Sequence, residues 1–279
     1  MLKKAISQIS FPREFSISRL LNLASTTGFN GIELRLSEKG EFSITSSEDE
    51  IHKIRKMAKE LGLDVCSIVG GLQWKYPLSS PLNSVRETGI KAAKKAVKFA
   101  SVLEAEVVLI VPAVVTKDLP YREAWKLALS SIVEIGKLAE QLGILIGVEN
   151  VWNNFIFTPL EMLRFVEEAN SMLNSDPIAV YFDVGNVIPF GYPEHWILCL
   201  KDYVRAVHVK DMKLLNRAAI AVLPPYGDVD WPSVMKALRS IGYKGYLTAE
   251  VSIPKLSLDI VLRYISSFMD SLIKMYASE

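Results

Sequence analysis

The chain has 279 residues, half of them hydrophobic and 23% charged, an ordinary balance for a globular fold with a large core. Lys and Arg number 32 against 31 Asp and Glu, for a formal charge of +1. That excludes a protein that grips nucleic acid by bulk charge, while leaving room for a small anionic substrate held by one or two local cations.

The N-terminus begins basic, but Ser7, Gln8 and Ser10 interrupt the apolar stretch that a signal peptide needs. The first strand is expected at Ala5–Ile9. Ile17, Leu20, Leu21 and Ala24 then share one face of a helix. A second strand, Gly31–Leu36, carries Glu33 toward the mouth of the fold, as a substrate contact or a support for other site residues. No buried ion pair with Arg35 is expected. Ile51, Ile54, Ala58 and Leu61 form the next helical face, and Gly62 stops it. A third strand, Asp64–Gly70, leads into Gln73 and Trp74.

A basic-faced helix is expected over Lys91–Leu103, a strand over Glu106–Val111 and a long helix over Tyr121–Leu142. The apolar run from Val107 to Val115 is about half a membrane span and contains Pro112, so no membrane partner is expected. The strand Ile144–Glu149 follows. Thr158-Pro159 reads as an N-cap with proline at the first helical position. Strands are expected at Ile178–Asp183, Arg205–Val209 and Tyr246–Val251, with Met212 to Pro224 as a loop and Asp230-Trp231-Pro232 opening the next-to-last helix. Cys66 and Cys199 are too far apart for a CxxC site or a disulfide framework, which agrees with a reduced, cytoplasmic setting.

Most strands read as continuous apolar runs, as strands buried on both faces of a parallel sheet do. Eight such units in 279 residues, with no linker between them, predict an α/β fold made of one (β/α)8 TIM barrel domain over 1–279. No GxGxxG or GxxxxGK[ST] supports a nucleotide-binding open sheet.

Chemistry in such barrels gathers at the carboxyl ends of the strands. The last four strands place Glu149, Asp183, His208 and Glu250 there, each about one βα unit from the next. A charge at the end of an apolar strand is costly unless paired or bound to a cation. Three carboxylates and one imidazole form a set for one divalent ion, Mn²⁺, Mg²⁺, Co²⁺ or Zn²⁺, with room left for substrate oxygens. His52 is expected to face solvent, and His195 to lie at a surface or a helix start. Trp74 and Trp152, in strand-end loops, are candidates to wall a ligand, with core or interface packing equally open to them. Trp125 and Trp196, read as exposed, leave room for a homo-oligomer.

Val-Glu-Asn at 148–150, Tyr-Phe-Asp-Val-Gly-Asn at 181–186, Val-His-Val-Lys-Asp at 207–211, Gly-Asp-Val-Asp-Trp at 227–231 and Tyr-Leu-Thr-Ala-Glu-Val at 246–251 resemble the xylose isomerase-like barrel superfamily. Within it they look most like the L-ribulose-5-phosphate 3-epimerase and hexulose-6-phosphate isomerase-like branch. The resemblance is densest from 144 to 251 and looser in the first half, at Gly-Gly-Leu-Gln-Trp (70–74) and Pro-Leu-Ser-Ser-Pro (77–81).

The resemblance implies a divalent metal on Glu149, Asp183, His208 and Glu250, with Glu149 and Glu250 also exchanging the proton at carbon 3 of a ketose or ketose phosphate. Substrate contacts are expected from Glu33, Gln73, Trp74 and Asn186. Lys210, Asn216 and Arg217 are donors near the loop where barrels often hold phosphate. Asn186 stands where many superfamily members carry His, and Pro225-Tyr226-Gly227 replaces part of a common family motif. An aldose-ketose isomerase or an inosose dehydratase-like lyase fits nearly the same metal set, and a non-catalytic sugar-binding protein is the alternative of a different class. An endonuclease IV-type repair enzyme, with its histidine-rich zinc cluster, does not fit a chain with three histidines.

Overall fold

The structure, a computed structural model, describes residues 2–216, 218–253 and 257–277. Seven parallel strands follow one another around a barrel: β1 (Lys3–Ser7), β2 (Gly31–Arg35), β3 (Asp64–Val69), β4 (Val107–Ile110), β5 (Leu145–Glu149), β6 (Ile178–Asp183) and β7 (Val204–Val209). A hairpin, β8 (Asp211–Leu215) and β9 (Ala218–Val222), precedes the last barrel strand, β10 (Tyr246–Ala249), which closes the ring between β7 and β1. Helices α1 (Ile17–Thr26), α2 (Glu48–Glu60), α3 (Asn83–Leu103), α4 (Tyr121–Leu142), α5 (Pro159–Leu173), α7 (Pro193–Leu200), α8 (Trp231–Ser240) and α9 (Leu258–Ala277) follow the strands. A single turn, α6 (Val184–Val187), sits at the end of β6.

The helix starts have local causes. Ser47 with Glu50, and Thr158 with Glu161, form reciprocal capping boxes, and Asp230 accepts from Ser233 N–H at the start of α8. α3 begins eight residues before the expected Lys91. Leu82 offers no side-chain cap there, and the first turns are polar, so neither signal marks the start.

Most of the core lies between the barrel and the helices, where Phe99, Phe165 and Phe182 are fully buried. A smaller apolar cluster fills the barrel itself: Val69, Val107, Leu109, Tyr181 and Ala206. Gly147 makes that filling possible, because a Cβ there would fall 2.9 Å from both Tyr181 Cβ and Val107 Cγ1. The ring of Tyr181 takes the space that a side chain on β5 would have used.

Two expectations are corrected. Residues 212–224 are not a plain loop, since most of them build the β8–β9 hairpin, with Leu215 paired to Ala218. Asn216 occupies the turn at φ +49, a conformation asparagine tolerates better than most residues. Trp196 is not exposed: it is buried on α7 at 6.3 Å from the Phe182 ring, and Trp125 is half-buried with its indole N–H donating to Glu168. Both therefore serve intramolecular packing. Among the described residues no helix is long and apolar enough to cross a membrane.

Candidate metal centre and active site

Parallel register sets the site. Asp183 on β6 pairs directly with His208 on β7, and Glu250, one residue past β10, donates its backbone N–H to Val209 O. Glu149 ends β5. One oxygen or nitrogen from each of Glu149, Asp183, His208 and Glu250 lies within 4.8 Å of the others. His208 Nδ1 is 3.3 Å from Glu250, 3.7 Å from Glu149 and 3.8 Å from Asp183.

Asp183 is held by backbone. Its Oδ1 accepts from Asn186 N–H, and Asn150 spans its main chain, donating from Nδ2 to Asp183 O and accepting from Asp183 N–H, each at 2.8 Å. Asn186 in turn donates from Nδ2 to Asn150 O. That network leaves Asp183 Oδ2 pointing into the cluster.

The histidine is fixed from behind. His208 Nε2 faces Glu33 Oε1 at 3.0 Å, and because a carboxylate only accepts, the Nε2 proton is the one donated. Glu33 also accepts from Tyr181 Oη at 2.6 Å and Ser67 Oγ at 2.8 Å. Burial alone would raise the Glu33 pKa, but the charge of His208 and hydrogen bonds from His208, Tyr181 and Ser7 hold it below the usual carboxylate range. Glu33 is thus fully buried beneath the site, where it supports His208.

Burial disfavours a charged imidazole at His208, yet Glu33, Glu250 and Glu149 outweigh it and push its pKa well up. Burial raises Glu149 to about 7, assisted by the nearby charges of Glu250 and Asp183. Burial raises Asp183 as well, against the pull of Lys210. So many acids in one dry place call for a cation. Among the described residues His208 Nδ1 and Asp183 Oδ2 are buried without a hydrogen-bond partner, as two ligand atoms turned toward an ion would be. The donor set fits a hard divalent ion.

A cavity of about 200 Å³ opens above this cluster. Gln73, Trp74, Asn186 and Lys210 line it, as do Glu149 and Glu250. Lys210 turns inward from the strand end and donates to Glu250 Oε1 at 2.9 Å, with Asp183 Oδ2 at 3.6 Å. It is therefore engaged with the acidic cluster and does not extend over the hairpin. Asn216 lies exposed at the hairpin turn, and Arg217 lies outside the described residues. Trp74 is half-exposed on the cavity wall, while Trp152 sits outside it with its indole N–H donating to Asn186 O. His52 and His195 are exposed.

Sequence reasoning did not single out Asn150, Tyr181, Ser7 or Ser67. Asn150 and Tyr181 stand inside the quoted motifs, and an inward-facing polar residue two before Asp183 is the signal that could have found Tyr181.

The family model described as xylose isomerase-like TIM barrel matches residues 21–267. The uncharacterized protein MJ1311 of Methanocaldococcus jannaschii is 26% identical over 180 residues, which cover 60% of this chain but only 57% of that protein. L-ribulose-5-phosphate 3-epimerase UlaE of Escherichia coli O157:H7 is 24% identical over 230 residues, 81% of this chain and 78% of that enzyme. The crystal structure of D-psicose 3-epimerase with D-tagatose from Clostridium cellulolyticum H10 superposes with a TM-score of 0.81 at 17% identity, over 99% of both chains. These named relatives and neighbours include sugar epimerases, which are isomerases. With the family match spanning most of its length, this chain belongs to the xylose isomerase-like TIM barrel family.

Proposed function

We propose that the protein is a divalent-metal-dependent epimerase of a small ketose or ketose phosphate, inverting a carbon next to the carbonyl. The observation that carries this reading is the gathering of Glu149, Asp183, His208 and Glu250 within 4.8 Å at the floor of a sugar-sized cavity. The sugar epimerases among its relatives support it.

Glu149, Asp183, His208 and Glu250 would hold a divalent ion, which would supply the Lewis acidity that eases removal of a proton beside a carbonyl. The chain supplies the rest. Asp183 and His208 are fixed by Asn186, Asn150 and Glu33, so they serve as anchors and do not move protons. Glu149 and Glu250 are the acid/base pair. Their strands, β5 and β10, are separated in the ring by β6 and β7, so their carboxylates reach the substrate from different sides. Inversion needs removal of a proton from one face and delivery to the other, which two opposed carboxylates do and one does poorly. Lys210, beside Glu250, offers an ammonium to a substrate oxygen. Gln73 and Trp74 wall the cavity, and the indole face packs on sugar C–H surface.

The test is inversion in deuterated water. With L-ribulose 5-phosphate or an unphosphorylated ketose, product should carry solvent deuterium at the inverted carbon. Product with no solvent deuterium at all, or deuterium arriving at carbon 2 with the carbonyl moved to carbon 1, removes the two-carboxylate epimerase and favours an aldose-ketose isomerase. Loss of water without inversion favours the lyase.

A further inference from the structure

The four clustered residues occupy one half of the barrel ring, β5 through β10. The other half of the same cavity is built by the end of β2 and the loop after β3, and it carries a cation with no work assigned to it. Arg35 is the last residue of β2 and lines the cavity with Gln73 and Trp74. Its guanidinium makes no ion pair and no side-chain hydrogen bond among the described residues. The charges that act on it are Glu250, which attracts it, and Arg13, which repels it. Among the described residues the other cation on the cavity wall, Lys210, is already committed to Glu250 and Asp183. A half-buried guanidinium without a partner is costly to keep in a cavity wall unless a ligand completes it.

A second observation points the same way. Gln73 is 1% exposed, lines the same cavity, and its Nε2 has no hydrogen-bond partner among the described residues. A buried amide donor left over in a cavity is a donor kept for something that enters it. The stem of Arg35 is also held in place. Gly71, at φ +73, lies so close that a Cβ on it would be 2.2 Å from Leu36 O and 3.4 Å from Arg35 Cγ. The loop after β3 can pack on β2 this way because that position is glycine.

We infer that Arg35 and Gln73 form a subsite for an oxyanion of the substrate on the β2–β3 side of the cavity. The planar guanidinium presents two parallel N–H donors to two oxygens of a phosphate or a carboxylate, and Gln73 Nε2 supplies a further donor. The substrate class is then a ketose that ends in a phosphate ester or a carboxylate. This rests on the epimerase reading above for the other end of the molecule. It moves anion recognition away from the hairpin after β7 to the opposite half of the ring.

The test uses the metal-loaded full chain. L-ribulose, L-ribulose 5-phosphate and the analogue with a terminal carboxylate are assayed for inversion, and inorganic phosphate is titrated directly by calorimetry. In Arg35→Ala, the ratio of kcat/KM for an anionic over the neutral ketose should fall by at least about tenfold, and phosphate affinity should fall by a similar factor, with the metal content per chain maintained. Which anionic ketose carries the loss tells phosphate from carboxylate. Arg35→Gln, which keeps length and polarity without charge, gives the same reading if the alanine variant does not fold. A ratio and a phosphate affinity equal to wild type within about twofold in a metal-loaded variant would overturn the subsite and leave the epimerase reading standing. If the wild type inverts no ketose of any charge but binds phosphate through Arg35, the subsite stands and the epimerase reading falls.

Discussion

His208 and Glu33 meet inside the barrel at 3.0 Å, from strands that are 175 residues apart in sequence. One ring nitrogen is committed to the carboxylate, and the other is turned toward Glu149, Asp183 and Glu250. Carboxylates that hold a metal-binding histidine in this way fix its tautomer and raise its basicity. Glu33→Gln keeps the shape but offers an amide to the Tyr181 and Ser67 hydroxyls, which now donate to a carboxylate. Divalent-ion affinity should fall by roughly ten- to a hundredfold, measured by metal titration calorimetry. An unchanged affinity would mean that Glu33 is a packing residue only.

The metal cluster itself makes the plainest prediction. Purified protein should hold about one divalent ion per chain, and Asp183→Ala combined with His208→Ala should lose it. Elemental analysis decides this without any substrate. Equal metal content in the double variant would place the ion elsewhere.

Glu149 and Glu250 should separate in isotope experiments. Either one changed to Gln loses kcat on the order of a hundredfold or more, as for a missing acid/base group. Glu149→Gln should still exchange the substrate proton with deuterated solvent without inverting it, since Glu250 serves its own face. Full inversion by both single variants would contradict a pair of proton carriers.

pH acts through the same residues. Burial lifts Glu149 to about 7 in the folded metal-free protein, from an ordinary 4.5, and the surrounding carboxylates lift His208 also. A group whose folded pKa is raised gives stability that is present at low pH and lost as pH climbs through the folded value. The metal-free protein should therefore melt at progressively lower temperature between about pH 5 and pH 8. Glu33, whose pKa is depressed, acts only in the more acidic range and does not mask the trend. A saturating divalent ion replaces the bound protons, so its stabilising effect should grow over that window. Thermal melts with and without metal check this, and parallel slopes would refute it.

Much of the site was legible in the chain because strand ends are local features. An apolar run that stops at a carboxylate or a histidine marks a rim residue, and four in succession mark a shared rim. Glu149, Asp183, His208 and Glu250 were legible for that reason, as were the capped starts at Thr158 and Asp230. Lys210 was legible only as a donor near the loop after β7, because whether a lysine next to a strand end turns outward or inward depends on the charge waiting inside. Trp196 reads as surface in sequence but lies on the buried face of α7, against Phe182.

The sequence by itself determined the alternation of strands and helices, the number of βα units and the residues that end the strands, since hydrophobic periodicity and capping act over a few residues. Only the tertiary structure decided that Glu33 serves His208, that Gly147 makes room for Tyr181, and that Arg35 and Gln73 share a cavity wall facing the acidic cluster. Those relations depend on the register and closure of eight strands. Closure brings distant inward-facing side chains within hydrogen-bond reach, and no local pattern encodes which of them will meet.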